Sequence, residues 1–244
     1  MRPKIFNSEL LQKRLERTLP NASDKGGLFD YTSEQIKERL AEIKRDFANI
    51  LDLSPVPCSF CHTAERKPSV FYLEDNPDAL DDSIYDLIAS NMWLHWVNDI
   101  PKVLNQIKNA LAQDGLFMAA FIGEDSLHEL RHSLTQAEIS VCGGASPRIS
   151  PTISLGDASN LLLRSGFKLP VADKESVTLV YEDMFALMRD LKLYGQSNAL
   201  IERRKSFTKK SVFTEAARVY SETFGLNDGS IPASVDIIYL HGWK

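Results

Sequence analysis

Several short strings pair residue types with spacings that could do chemistry. His128-Glu129-Leu130-Arg131-His132 fits H-E-x-x-H; on a helix, positions four apart share a face, so two imidazoles could hold zinc while Glu129 activates water. A third ligand is needed, and His62, His95 and His241 lack the downstream spacing that supplies it. The expectation is a solvated helix face and no metal. Cys58-Ser59-Phe60-Cys61-His62 fits C-x-x-C-H, the haem-attachment string, and a C-x-x-C pair ahead of a helix also has a lowered thiol pKa suited to redox work. Haem attachment takes place outside the cytoplasm, and structural zinc would need two further ligands where only Cys142 remains. A reduced, half-buried pair is therefore expected. Trp93, His95 and Trp96 follow an apolar run. At the carboxyl end of a core strand, His95 could exchange a proton near neutral pH as a general base, or be a hydrogen-bonded shoulder of the core. Arg131 offers a planar fork to a substrate carboxylate, or a helix-surface ion pair with Glu129.

These residues need a frame to hold them. Apolar residues three and four apart among charges predict helices over Ser8–Leu19 and Thr32–Phe47, the second with Thr32 and Gln35 as a capping box. Short continuous apolar runs predict buried strands at Asn49–Leu53, Ser69–Leu73, Ile84–Ala89 and Leu116–Ile122, with a helix over Asp99–Leu111. Strands alternating with helices imply a parallel α/β sheet. Beyond Gly123 the pattern turns helical, at Ser126–Ile139, Leu155–Ser165, Asp183–Leu193 and Ser211–Phe224, with late strands at Ser176–Val180 and Val235–Leu240. The turn-rich segment from Cys142 to Pro151 is placed over the carboxyl edge of the sheet, where open α/β sheets bind ligands.

Composition narrows the partners. A chain of 244 residues, 43% hydrophobic, can bury one sizeable core. Its net charge of -5 offers no positive footprint for phosphates, so no nucleic-acid partner is expected. The sequence shows neither a run of about 20 apolar residues nor an export signal; no integral membrane segment, a cytoplasmic location and reduced cysteines are expected. The Arg203-Arg204-Lys205 and Lys209-Lys210 clusters around Phe207 read as a solvated face.

A longer pattern begins at Ser90-Asn91-Met92-Trp93-Leu94-His95-Trp96-Val97-Asn98-Asp99. It continues in order through Asp114-Gly115-Leu116-Phe117, Glu129-Leu130-Arg131, Ser146-Pro147-Arg148 and Leu187-Met188-Arg189-Asp190-Leu191 to Gly242-Trp243-Lys244. Over about two thirds of its length the chain thus resembles the class I S-adenosylmethionine (SAM) methyltransferases. The resemblance is to the branch of the complex I assembly hydroxylase, with the malonyl-acyl-carrier-protein O-methyltransferase of biotin synthesis as a wider relative. It implies an α/β, Rossmann-like class I methyltransferase fold with a reduced N-terminal half and a helical C-terminal lid. The units it implies are N-terminal helices at 1–48, a shortened core at 49–123, and the lid with closing strands at 124–244. It further implies SAM as cofactor, Asp52, Asp75 and Asn91 on the cofactor side, His95 and Arg131 as catalytic groups, and a protein substrate or respiratory-chain assembly partner. One fold hosts many reactions, so methyl transfer, hydroxylation, catalytically silent binding and malonyl-carrier methylation all stay open.

The chain departs from the family at the cofactor loop. Class I enzymes follow the first strand with a glycine-rich turn that lets the backbone approach SAM. Here Leu51-Asp52-Leu53 runs into Ser54-Pro55-Val56-Pro57-Cys58, which keeps the acid and loses the glycines. Proline fixes φ and lacks an N–H. Only one strand-like run, at 70–75, lies between Leu53 and Ile84; aligned with the family's third strand, it leaves the ribose-binding strand absent and puts Glu74 or Asp75 near an adenine.

Overall fold

A computed structural model describes residues 4–18, 27–56, 58, 60, 65–66, 72–76, 79–80 and 84–244. Helix α1 (Ser8–Thr18) buries Leu11 and Leu15. Helix α2 (Leu28–Ala41) starts a full turn before the expected capping box, because the apolar pair Leu28 and Phe29 already packs as its first turn. Thr32 therefore sits inside the helix, its hydroxyl 2.8 Å from the Leu28 carbonyl and 2.7 Å from Asn91 Oδ1.

Six strands make one sheet in the order β2-β1-β3-β4-β6-β5. They are β1 (Ile50–Asp52), β2 (Glu65–Arg66), β3 (Tyr85–Asn91), β4 (Leu111–Ile122), β5 (Lys168–Tyr181) and β6 (Ile231–Trp243). The first four run parallel, as the βα alternation requires; β6 runs antiparallel between β4 and β5, so the all-parallel expectation holds only for the N-terminal part. The run read as a strand over Ser69–Leu73 is corrected in its described part. Tyr72–Asp75 forms the helical turn α3, and the strand beside β1 is β2. A short apolar run cannot by itself be told from a buried helical turn.

Side-chain alternation gives the sheet two buried faces. Phe117, Ala119 and Phe121 of β4, with Ile88, Ile238 and Leu240, share one cluster with Val103, Leu104 and Ile107 of α4 (Ile100–Ala110) and Leu162 of α6 (Leu155–Arg164). The intervening Leu116, Met118 and Ala120, with Ile237, pack against Ile36 of α2. Each fully buried large side chain contributes about 1.5–3 kcal/mol. The Asp99 side chain accepts from the Lys102 amide and caps α4, whose second residue is Pro101. The remaining helices, α5 (His128–Cys142), α7 (Met184–Leu193) and α8 (Lys210–Phe224), form a separate cluster with Ile231 and Ala233 at the start of β6. No described helix is long and apolar enough to cross a membrane.

Candidate functional site

The carboxyl ends of β3 and β4 face a cavity of about 570 Å³, a size suited to a small ligand or one long side chain. Met92, His95 and Trp96, in the turn after β3, and Ile122, at the end of β4, form its floor. Leu127, Leu130 and Leu134 from α5, and Leu187, Asp190 and Leu191 from α7, face it from the lid. Strand β5 contributes Val177, Leu179 and Tyr181, α2 contributes Phe29 and Tyr31, and Arg148 to Thr152 close one side, as the turn-rich segment predicts. Two lining residues, Met92 (φ 57°) and Leu127 (φ 53°), hold left-handed backbone without being glycine. Such strain costs about 1–2 kcal/mol per residue and persists only where packing fixes it.

His95 reaches this wall, as the strand-end argument requires, but in a specific state. Its Nε2 lies 3.1 Å from Gln196 Oε1, which also accepts from Trp96 Nε1 at 3.0 Å. Because an indole N–H only donates, the Gln196 orientation is fixed, and His95 must donate from Nε2. Its Nδ1 then faces the Ile122 amide at 3.5 Å. Burial pushes the His95 pKa down to about 4, against the weaker opposing effect of the Gln196 bond. At neutral pH the ring is neutral and orients Gln196. Gln196 Nε2 is buried without a hydrogen-bond partner among the described residues, a donor at the cavity wall.

Arg131 does not line the cavity; the arginine that does is Arg148. Arg148 is bound to Glu138, a carboxylate only 1% exposed, through Nε at 3.2 Å and through Nη2. The Ser146 amide adds a bond at 2.7 Å. Burial pushes Glu138 up, but the bonds from Arg148 and Ser146 together outweigh it and hold the carboxyl below its usual range.

The cofactor-side candidates separate into two places. Asp52 accepts from the amides of Ser54 and Cys58, both at 2.9 Å, and Ser54 Oγ in turn accepts from the Asn91 amide at 2.8 Å. Asn91 Nδ2 donates to the Phe29 carbonyl at 2.9 Å, so the first turn of α2 is tied to the end of β3. Asp75 lies apart, in an exposed ion pair with Lys4, and Glu74 accepts from the Asp99 amide near the start of α4. A carboxylate beside an amide suits the amino-acid end of SAM. Yet Asp52, Ser54 and Asn91 are at most 4% exposed. The chemistry fits, and the three side chains are buried.

The metal-like strings resolve locally. His128 and His132 both make edge-to-face contacts with Phe224, with centroids 6.1 and 5.6 Å away, while Glu129 turns inward to the Ser234 amide at 3.1 Å. Among the described residues no three potential ligands gather. Cys58 contacts Ser54 Oγ at 3.2 Å, whereas Cys61 and His62 lie outside the described residues.

Asp190, Tyr181, Gln196 and Arg148 were not singled out from sequence as site residues. For Asp190 a signal exists: Leu187, Asp190, Leu191 and Tyr194 recur at i, i+3, i+4 and i+7, which sets an acid into the inward stripe of a helix.

Comparison with known proteins agrees with this geometry. The family model for a methyltransferase domain matches residues 35–119. The arginine-hydroxylase NDUFAF5, mitochondrial, of Rattus norvegicus is 36% identical over 271 aligned positions, covering 98% of this chain and 77% of the relative. That alignment is longer than the 244-residue chain, so the relative carries residues with no counterpart here. The Dictyostelium discoideum protein of the same name is 45% identical over 70% of this chain, which spans only 39% of that relative. A malonyl-[acyl-carrier protein] O-methyltransferase of Xylella fastidiosa (strain M23) is 38% identical over 66% of the chain and 52% of its own length. A crystal structure assigned to a methyltransferase of Bacillus halodurans C-125 superposes with a TM-score of 0.52 at 11% identity, covering 87% of this chain and 98% of the other, which shows the fold alone.

Proposed function

The chain belongs to the class I SAM methyltransferase family, in the group of the arginine-hydroxylase relatives, and from that premise we propose that it is a methyltransferase-like protein acting on a protein substrate in respiratory complex I assembly. The observation that carries this is the cavity itself, which Met92 lines, while Asn91, one residue earlier at the end of β3, is tied through Ser54 to Asp52 at the end of the neighbouring β1. Cofactor and substrate places therefore adjoin at the carboxyl edge, as the fold requires. Asp52 and Asn91 would hold the amino-acid end of SAM, which when bound supplies an electrophilic methyl group. His95 acts from the substrate side as a neutral positioning group, and the three units at 1–48, 49–123 and 124–244 divide the work into cover, cofactor strand ends and substrate lid.

A second reading, a binding or assembly factor without catalysis, is favoured by the closed, glycine-free loop. Calorimetry with SAM and S-adenosylhomocysteine separates the two. The enzyme reading expects saturable heat that Asp52→Ala weakens about tenfold or more, since a carboxylate facing an ammonium makes one of the stronger hydrogen bonds. No heat from either ligand at millimolar concentration leaves only the binding reading. Malonyl-carrier methylation suits the cavity less well, because its acidic wall residue, Asp190, would repel a malonyl carboxylate. As to compartment, the rat relative is mitochondrial by name; a cytoplasmic chain meets complex I where the respiratory chain sits in the cell's own plasma membrane.

A further inference from the structure

The basic segment at 201–210 is joined to the cavity at both ends. Gln196, Ser197 and Asn198 before it and Phe213 after it all line the cavity, so the segment forms part of the rim. Arg204 Nη1 lies 3.9 Å from Glu138, the carboxylate that holds Arg148 in the cavity wall. Within the segment five cations, Arg203, Arg204, Lys205, Lys209 and Lys210, stand against one carboxylate, Glu202, in a chain whose net charge is -5. The three lysines are exposed, and no ion pair among the described residues includes them. Phe207, between the two clusters, is 100% exposed.

The neighbouring elements add positive charge. Arg14 of α1 donates to the Ser197 and Asn198 carbonyls at 2.8 and 2.9 Å. Burial first, and then the charges of Arg203 and Arg17, hold its pKa below the usual guanidinium range, so like charges crowd one another here. Lys209 and Lys210 stand at the N-terminal end of α8, where a cation opposes the helix dipole and no acidic residue of the first turn offsets it. Each placement costs the free chain stability, and one kind of partner relieves them all: an anionic surface with an apolar spot for the ring. A carboxylate-rich protein segment and a membrane of anionic lipid both have that chemistry. The attachment of the segment to the cavity at both ends favours the first, because chain flanking a residue that enters the cavity has to lie along its rim. We propose that residues 203–210 dock an acidic stretch of the protein substrate, its carboxylates on the lysines and arginines and an apolar side chain against Phe207. The proposal rests on the protein-substrate reading above and adds to it the part of the substrate that is recognised outside the cavity.

The test uses the full chain and two fluorescein-labelled peptides, one of glutamates interrupted by leucines and its counterpart with glutamine at every glutamate. Binding is read by fluorescence anisotropy at low and at physiological salt. The acidic peptide should bind about tenfold more tightly at low salt, and the preference should shrink at physiological salt, where exposed charges are screened. The triple variant Lys205→Gln, Lys209→Gln, Lys210→Gln should abolish the preference, and Phe207→Ser should weaken the acidic peptide about threefold or more. All four side chains are exposed, so both variants should keep the fold, which urea unfolding checks. Equal binding of the two peptides to the unmodified chain overturns the proposal without any variant, as does a preference that survives the triple variant. Cosedimentation with phosphatidylcholine vesicles that carry phosphatidylglycerol, and not with vesicles that lack it, overturns it in favour of a membrane surface when no peptide preference accompanies it. SAM calorimetry on the same samples keeps the outcomes apart: SAM binding without a peptide preference sinks only this docking site, and a peptide preference without SAM binding sinks only the enzyme reading.

Discussion

Acidifying the chain from pH 6.5 to about 4 should remove about 3 kcal/mol of folding stability through His95 alone. The sign follows from the direction of the shift. Burial holds the folded pKa near 4, below the ordinary value of 6.5. Above pH 6.5 the ring is neutral in both states and its contribution is complete. Between 6.5 and about 4 the unfolded chain takes a proton that the folded chain refuses, so stability drops as pH falls; below about 4 both forms are protonated and the loss levels off. Carboxylates also titrate in acid, so the measurement is a difference. Urea unfolding of the native chain and of His95→Gln, which keeps hydrogen-bonding capacity without the titration, is followed at both ends of this window. The variant should lose about 3 kcal/mol less than the native chain. Parallel losses in the two proteins would show that the ring is not desolvated as described.

Arg148→Met should destabilise the chain by about 3 kcal/mol, because it strands a buried carboxylate. Glu138 is 1% exposed, and the upward push of burial would then be opposed only by Ser146 and by Arg204, whose Nη1 is 3.9 Å away. Arg148 is itself 17% exposed and Arg204 can swing inward, so the loss belongs at the lower end for a broken buried pair. Replacing both partners removes the stranded charge. The double variant Glu138→Met, Arg148→Met should therefore recover most of the stability, because well-packed apolar pairs often match buried ion pairs. Chemical unfolding of the two singles and the double closes the cycle. A double variant whose loss equals the sum of the singles would deny the coupling. The same variants bear on the cavity, since Arg148 forms part of its wall.

Much of this was legible in the chain itself. Periodicity marks α1, α4, α6, α7 and α8 to within a few residues, because their apolar stripes are regular and their caps, such as Asp99 and Asp183, are favourable cap types. Continuous apolar runs mark β3 and β4, which are buried on both faces. Strands β5 and β6 extend well beyond the predicted segments, since their pairing partners lie far off in sequence and a window sees only the apolar centre. Thr32 misled for a related reason: its hydroxyl sits inside the helix between the Leu28 carbonyl and Asn91, 59 residues away, and not at a capping position. The place of His95 at the cavity wall was legible because the strand-end rule needs only local order. That Arg148 lines the cavity and Arg131 does not was not legible, because Arg148 is set by Glu138, which no local spacing reports.

The sheet is stitched unevenly. At one end, among the described residues, β1 supplies three residues and meets β2 through Leu51 and Asp52; at the other, β5 and β6 are paired from Lys168 and Trp243 to Tyr181 and Ile231. Amide hydrogens report such differences, because short, sparsely bonded elements open at a lower free energy than the whole fold. Residues 50–54 should thus trade their protons with solvent by a local excursion, while the interior of the β5–β6 ribbon waits for complete unfolding. The proposed cofactor place at Asp52 and Asn91 lies on the weakly stitched side, where Phe29 and Thr32 contact Asn91. A ligand's arrival there would appear as slowed exchange at Leu53 and Asn91 with the ribbon unchanged, a signature of occupancy that requires no turnover.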